Sequence, residues 1–480
     1  MTVAKRRAPV RPRKPGDQTV VIFGASGDLV SRKLIGALWA LDRDGLMPDE
    51  WRVVGYARTD LDDERFRERM REALTKRPDF AAKRWTRFAK RLHYVRGAYD
   101  DLAGLDDELR EHGVAGGRRL YYCSVPPSAY EPIVAEIGRH RLGEGSRMVV
   151  EKPFGHDLAS AKRLNRLIHQ VFDEDQVFRI DHYLGKETVQ NILVFRFSNG
   201  MFEPIWNRRY VTQVEITVAE SEGVGHRGGF YEEAGALRDI VQNHIFQVLT
   251  FLTMEPPASF DPGALRDEKS KVLAALRRIE PEDTVFGQYG PGRVDGRKAP
   301  GYRSEEGVDP RSRTETFVAM RLWIDNWRWA TVPFYVRTGK RLPRRVTEVT
   351  MKFHDAPHSL FRDSSVAPNH LTLRIQPDEG ICLSFDAKVP GPEMRIEPVT
   401  MDFSYGAHFG SETPEAYERL LRDAMVGDHT LFPRSDEVER AWDALETVVH
   451  DRPRLYRYAA GTWGPRAAHD LVPGGWHLGD

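Results

Sequence analysis

The run Glu151-Lys152-Pro153-Phe154-Gly155 is followed, after a helical spacer, by Arg179-Ile180-Asp181-His182-Tyr183-Leu184-Gly185-Lys186-Glu187. Two lysines, a histidine, a tyrosine and several carboxylates thus stand beside apolar strands, a set of side chains suited to a phosphorylated, hydroxyl-bearing substrate. Lys152 precedes a proline, which holds its backbone extended and admits a cis peptide. His182 and Lys186 are four residues apart. On a helix or its first turn that spacing puts both on one face, where a phosphate can bridge them. The same residues would also serve as a solvated charge run at a strand end. What positions them decides between the two.

Two further segments carry chemistry. Val20-Val21-Ile22-Phe23 runs into Gly24-Ala25-Ser26-Gly27-Asp28-Leu29, which is a strand, a glycine turn and a helix start in that order. Such glycines let the backbone approach a pyrophosphate, and the amides and dipole at the helix start stabilise its charge. A second strand, Val53-Val54-Gly55-Tyr56-Ala57, ends in Arg58-Thr59 where NAD-selective sites usually carry a carboxylate. An arginine and a hydroxyl there suit a 2′-phosphate and favour NADP, unless Arg58 is an ordinary surface residue. Farther along, His244 is four residues from both Ile240 and Val248 and shares their buried stripe. A lone histidine in that setting is more often a core residue than a base. A carboxylate partner, for which Asp181 is the candidate, would fix its tautomer and favour the imidazolium formed after proton abstraction.

The elements that must hold these groups follow from periodicity. From Gln18 to Ile180, strands are predicted at 19–24, 52–57, 92–97, 120–125, 147–151 and 177–180. Helices are predicted between them, with Leu34, Ile35, Leu38 and Leu41 at helical spacing and charged stretches at 61–77, 101–112, 130–141 and 157–172. This alternation predicts a doubly wound, Rossmann-like parallel sheet whose strand carboxyl ends share one edge, with Lys152 and Asp181 each following a strand there. Beyond about residue 190 the pattern changes to strands at 214–218, 316–323, 346–353, 371–375 and 381–385, with helices at 235–252, 414–424 and 435–449. That predicts an α+β domain with a large, mainly antiparallel sheet and helices on one face. Gly287 to Pro310 reads as a long surface loop. The expected division is a disordered basic tail over 1–17, a dinucleotide-binding domain over 18–190 and a second, α+β domain over 191–480.

Composition excludes several classes. The chain of 480 residues has 71 basic and 71 acidic side chains, so no net field draws it to nucleic acid or membrane. Its length calls for more than one core. The exception to the charge balance is Lys5, Arg6, Arg7, Arg11, Arg13 and Lys14, where prolines discourage a helix and no signal-like apolar run follows. Only Cys123 and Cys382 are present, without metal-ligand spacing, which fits a reducing cytoplasm and predicts no metal site. There is no internal repeat, and no apolar run is long enough to cross a bilayer.

Taken in order, GASGDL at Gly24, EKPFG at Glu151, RIDHYLGKE at Arg179, RDIVQNH at Arg238, VPFYVRTGK at Val332 and DEVERAW at Asp436 resemble the glucose-6-phosphate dehydrogenase family along almost the whole chain. The resemblance implies NADP-linked oxidation of glucose 6-phosphate at C1 to the 6-phosphoglucono-δ-lactone, the first oxidative step of the pentose phosphate pathway. It gives His244 the role of general base and Asp181 that of its orienting carboxylate. Lys152 would lie near both nicotinamide and sugar. His182, Tyr183 and Lys186 would grip the phosphate, while Glu220, Asp239, Lys340, Arg345 and Gln376 match other substrate positions. For the cofactor it implies Gly24, Ala25, Ser26, Gly27, Asp28, Leu29, Ser31, Arg58, Tyr130 and Lys152. The resemblance also implies that the second domain, 191–480, binds substrate and forms a homodimer or homotetramer through the large sheet.

The chain departs from the pattern in two places. Glu232 replaces a frequent aspartate, a conservative change. Val346 and Thr350 stand where animal members carry cations for a second, structural NADP, so one cofactor site per chain is expected. Two competing readings stay open. One is a dehydrogenase of another sugar, since E-K-P also occurs in the Gfo/Idh/MocA type, which lacks RIDHYLGKE. The other is a catalytically silent nucleotide-binding homologue, against which His244, Asp181, Lys152 and Lys186 are all present.

Overall fold

The computed structural model of the protein describes residues 13–358, 360, 368–410 and 415–477. Six short β-branched and aromatic runs form β1 Gln18–Phe23, β2 Trp51–Ala57, β3 Leu92–Arg96, β4 Arg118–Cys123, β5 Arg147–Val150 and β6 Val177–Arg179. They pair in the order β3-β2-β1-β4-β5-β6, and every pairing is parallel. β1 is buried along its whole length, as a central strand covered on both faces must be. Helices Asp63–Thr75, Ala103–His112, Tyr130–Arg139 and Leu158–Ile168 fall inside the predicted stretches. Each predicted boundary in this half lies within a few residues of the observed one.

The second sheet has nine strands in the order β16-β15-β14-β13-β7-β12-β11-β8-β17. Its members are β7 Val211–Ala219, β8 Thr284–Gly290, β11 Phe317–Leu322, β12 Phe334–Gly339, β13 Val346–Phe353, β14 His370–Gln376, β15 Gly380–Lys388, β16 Ile396–Ser404 and β17 Leu455–Ala459. Antiparallel pairing dominates, but β7 with β12 and β8 with β17 run parallel. The predicted loop over 287–310 is corrected: it begins inside buried β8 and holds a hairpin of β9 Gly292–Val294 and β10 Arg297–Ala299. Glycines and a proline at its ends disguise strands too short to show a period. Helices Ala416–Val426 and Ser435–His450 match expectation, and the predicted start at Pro414 lies outside the described residues.

By packing, the chain divides into two compact units. One comprises Met1–Phe154, Arg163–His182 and Pro414–Pro433, and the other Gly155–Lys162, Tyr183–Thr413 and Arg434–Asp480. This packing division passes between His182 and Tyr183, and the helix Glu187–Phe197 is tied into the second unit. Thr188 donates to the Ile375 carbonyl, and buried Arg196 donates to the carbonyls of Phe251 and Met254. Helix Ala416–Val426 joins the first unit, where Arg147 caps its carboxyl end through the carbonyls of Ala424 and Met425. Of the basic tail, residues 1–12 lie outside the described residues. Lys14 pairs with Asp49 and Pro15 is buried, so ordered chain begins before Gln18.

Candidate active site

In the first unit, the turn after β1 is built for close approach. Gly24 has φ 77°, and a Cβ there would lie 2.1 Å from the Ser124 carbonyl oxygen, so no other residue fits. Its N–H donates to the Tyr56 carbonyl at 2.8 Å, which pins the turn between β1 and β2. Ala25 is buried, and Gly55 faces it because a Cβ at 55 would reach the Ala25 methyl at 2.8 Å. Ser31 Oγ donates back to the carbonyls of Gly27 and Asp28. Asp28 is exposed and paired with Arg32.

At the end of β2, Arg58 lies over the Tyr99 ring at 5.6 Å, while the Thr59 hydroxyl donates to Ser26 Oγ at 2.7 Å. A guanidinium and two hydroxyls therefore converge beside the turn, with Arg58 and Thr59 both exposed. Tyr99 and Ser124 were not named from the sequence, because only the parallel pairing carries them to this edge.

Lys152 follows β5, and its bond to Pro153 is cis. The preceding Glu151 accepts hydrogen bonds from the hydroxyls of Tyr122 and Tyr417. Burial pushes the Glu151 carboxyl above its ordinary value, although both hydroxyls and the Lys152 charge pull it back. The hydroxyl of buried Tyr130 donates to the Glu151 carbonyl at 3.2 Å. Tyr130 thus fixes the backbone ahead of Lys152. At the end of β6, Arg179 holds Glu174 through both carboxylate oxygens, takes Asn165 Oδ1 at 3.0 Å and lies 4.9 Å over the Phe154 ring. It fastens the two motif runs to each other. Asp181 follows, 2 % exposed, and the His182 ring is parallel to that of Tyr417 at 6.5 Å.

In the second unit, one end of the sheet collects the remaining residues. Ala219 is in register with both Gly339 and Val346, and Thr347 with Gln376. Glu220, Lys340, Arg345 and Gln376 therefore all emerge at that end. Lys186 donates to Gln376 Oε1 and lies 4.3 Å over the Tyr183 ring. Arg345 reaches the same oxygen at 3.4 Å, and Gln376 Nε2 donates to Thr347 Oγ1 at 2.9 Å. The Tyr183 hydroxyl is 3.5 Å from Thr347 Oγ1. The fully buried ring of His244 also stacks on Tyr183, at 4.3 Å and 17°. Candidate base and candidate phosphate ligands thus share one aromatic ring.

His244 and Asp239 lie in a π-helical segment, Leu237–Ile245, that continues into the helix Phe246–Thr253. Such widened turns are frequent at functional sites. The segment starts after Gly235, which has φ 61° and ψ 177°, and its first amides are tied to Glu315. Nearby, Lys340 is paired with Glu220 and lies 5.1 Å over the Tyr231 ring. Burial, followed by the charges of Asp239 and Glu220, pushes the Tyr231 hydroxyl well above its usual range. Tyr231 and Thr347 join the residues that sequence alone did not single out. Glu232 sits apart as a structural acceptor for the hydroxyls of Tyr302 and Ser312.

Comparison with known proteins supplies the family. The profile described as "Glucose-6-phosphate dehydrogenase, NAD binding domain" matches residues 21–191, and "Glucose-6-phosphate dehydrogenase, C-terminal domain" matches 193–475. The chain is 49 % identical to a glucose-6-phosphate 1-dehydrogenase of Aggregatibacter actinomycetemcomitans, covering 94 % of this chain and 95 % of that one. The crystal structure of glucose-6-phosphate 1-dehydrogenase from Mycobacterium avium superposes with TM-score 0.88 at 40 % identity, over 97 % and 99 % of the two chains. A glucose-6-phosphate dehydrogenase in complex with its substrate glucose 6-phosphate gives TM-score 0.89 at 37 % identity, over 98 % and 100 %. The chain belongs to the glucose-6-phosphate dehydrogenase family.

Proposed function

We propose that this protein oxidises D-glucose 6-phosphate at C1 to 6-phospho-D-glucono-1,5-lactone, with NADP as cofactor. The observation that carries the reading is the shared Tyr183 ring, with His244 stacked on it and Lys186 over it beside Arg345 and Gln376. Lys186 and Arg345 supply cationic donors for the phosphate, and Tyr183 and His182 complete the grip. Glu220, Asp239 and Lys340 match the chemistry of sugar hydroxyls, which need both acceptors and a donor. His244 takes the proton of the C1 hydroxyl, leaving C1 doubly bonded to oxygen as its hydride departs. Asp181 orients His244 and stabilises the imidazolium.

The cofactor fits the first unit. The Gly24 turn leaves a cradle that any Cβ would fill, and Arg58, Thr59 and Ser26 form a donor set for a 2′-phosphate. Bound NADP supplies the hydride acceptor. The residues expected to hold it are Gly24 to Leu29, Ser31, Arg58 and Lys152, with Tyr130 setting the backbone at 151. Buried Thr350 bonds Thr372 and Val346 carries no charge, which supports one nucleotide site per chain.

We further propose a cytoplasmic homodimer or homotetramer formed through the large sheet. Two unpaired thiols suit a reducing compartment, and no described helix is long and apolar enough to cross a membrane. Edge strand β16 leaves Val399 and Met401 exposed, as an association surface would. The function is tested by mixing the protein with glucose 6-phosphate and NADP and following the absorbance of reduced nicotinamide. Reduction is expected with glucose 6-phosphate and far less with glucose. A better rate with an unphosphorylated sugar, or no reduction at all, would overturn the reading.

A further inference from the structure

Between Arg58 and Tyr130 in the chain, β3 and the helix Ala103–His112 bring His93, Glu108 and His112 together. One ligand atom from each lies within 4.8 Å of the others. Glu108 and His112 are one helical turn apart and so share a face. His93 projects from the adjacent strand, with its Nδ1 3.6 Å from Glu108 Oε1. Around a tetrahedral ion with bonds of about 2.0–2.1 Å, neighbouring ligand atoms stand about 3.4 Å apart. The His93 to Glu108 spacing is already close to that value, and a His112 ring nitrogen lies within 4.8 Å of the other two ligand atoms.

The surroundings favour a cation. His112 is the last residue of its helix, where the final carbonyls carry partial negative charge. Asp63 adds a carboxylate 3.4 Å from His93 Nδ1, but its own oxygens are taken by Arg67 and the Tyr94 N–H. It therefore adds negative charge beside the His93 ring without being one of the three ligands. The two imidazoles meet at 74° with centroids 5.2 Å apart, and the site is only partly exposed, His93 at 15 % and Glu108 at 21 %.

We propose that His93, Glu108 and His112 form a binding site for a divalent transition ion of the zinc class. Two imidazoles and one carboxylate select such an ion over magnesium or calcium, which demand oxygen ligands. Three protein ligands leave a fourth position for water. The ion clamps β3 to the helix across the loop that carries Tyr99, the ring beneath Arg58.

The test is isothermal titration of the full-length protein with Zn²⁺, with saturating glucose 6-phosphate present, alongside His112→Ala, His93→Ala and Glu108→Gln. The wild type is expected to take up one more equivalent than the variants. Each variant should weaken that event by about 100-fold or more, beyond the 10–100-fold typical of outer-sphere losses. Zn²⁺ should raise the melting temperature of the wild type and not that of His112→Ala, and Mg²⁺ in tenfold excess should not compete. If His93→Ala fails to fold, Glu108→Gln on the helix surface still gives the comparison. Zn²⁺ uptake and thermal shift that are the same in wild type, His112→Ala and Glu108→Gln, or no uptake by the wild type, would overturn the proposal.

Discussion

Arg58 is the residue on which cofactor choice turns. Exposed at the end of β2 over the Tyr99 ring, it offers a fork of donors where a 2′-phosphate would lie. Arg58→Ala is expected to lower kcat/KM for NADP by about 10- to 100-fold, the worth of a charged hydrogen bond, and to leave NAD nearly unchanged. Steady-state rates with both cofactors check this, and equal losses would contradict the role. Arg58 was legible because a strand, a glycine turn and a second strand fix its place. The Glu151 network was not, since Tyr417 lies 266 positions away and only the fold brings its hydroxyl to that carboxylate. Lys186 and His182 were read from spacing as a joint phosphate grip, and Lys186 proves to be bound to Gln376 and stacked on Tyr183, neither of which the spacing implies.

Elements were legible where a period ran long enough. The six parallel strands and most helices between them stood out by alternation, whereas the helix Ala82–Phe88 and strands β16 and β17 did not, and β8 and the β9–β10 hairpin were hidden in a glycine- and proline-rich stretch. The π-helical segment Leu237–Ile245 has no sequence signature, because its extra residue per turn is imposed by packing. Gly235 ahead of it has a backbone conformation that is essentially reserved for glycine, and a Cβ there would lie 2.2 Å from Glu315 Oε1. Gly235→Ala should therefore cost about 1–3 kcal/mol and displace His244, lowering both melting temperature and turnover. Calorimetry paired with a rate assay would show whether the two fall together.

The helix Ser435–His450 gives a pH prediction. Burial alone would raise the Asp436 carboxyl, but the Arg434 fork and the Ser270 hydroxyl override it and bring it down to about 2. Folding thus favours the ionised form. That contribution is complete above the unfolded value of about 4 and is lost as pH falls towards about 2. With the side chain 35 % exposed, solvent screening discounts it to about 1 kcal/mol at neutral pH. Asp436→Asn should remove that stability at pH 7 and flatten the acid limb of denaturant-unfolding curves; an unchanged acid limb would count against it.

At the scale of the whole molecule, two compact units were foreseeable from the change of pattern near 190, but their exchange of segments was not. Helix Ala416–Val426 belongs to the first unit because its carbonyl end is capped by Arg147, a contact nearly three hundred positions distant that no local pattern encodes. Sedimentation equilibrium is expected to give two or four times the chain mass, and Met401→Asp on β16 should shift the distribution to smaller species. The family and the reaction were readable from ordered motifs, whereas the partners of each motif residue are set by the fold. The central claim is that His244 removes the proton of the C1 hydroxyl. In His244→Asn, kcat should fall by about 10²- to 10⁴-fold or more, while the dissociation constant for glucose 6-phosphate stays within a few-fold of the wild type. Turnover close to that of the wild type would contradict the account.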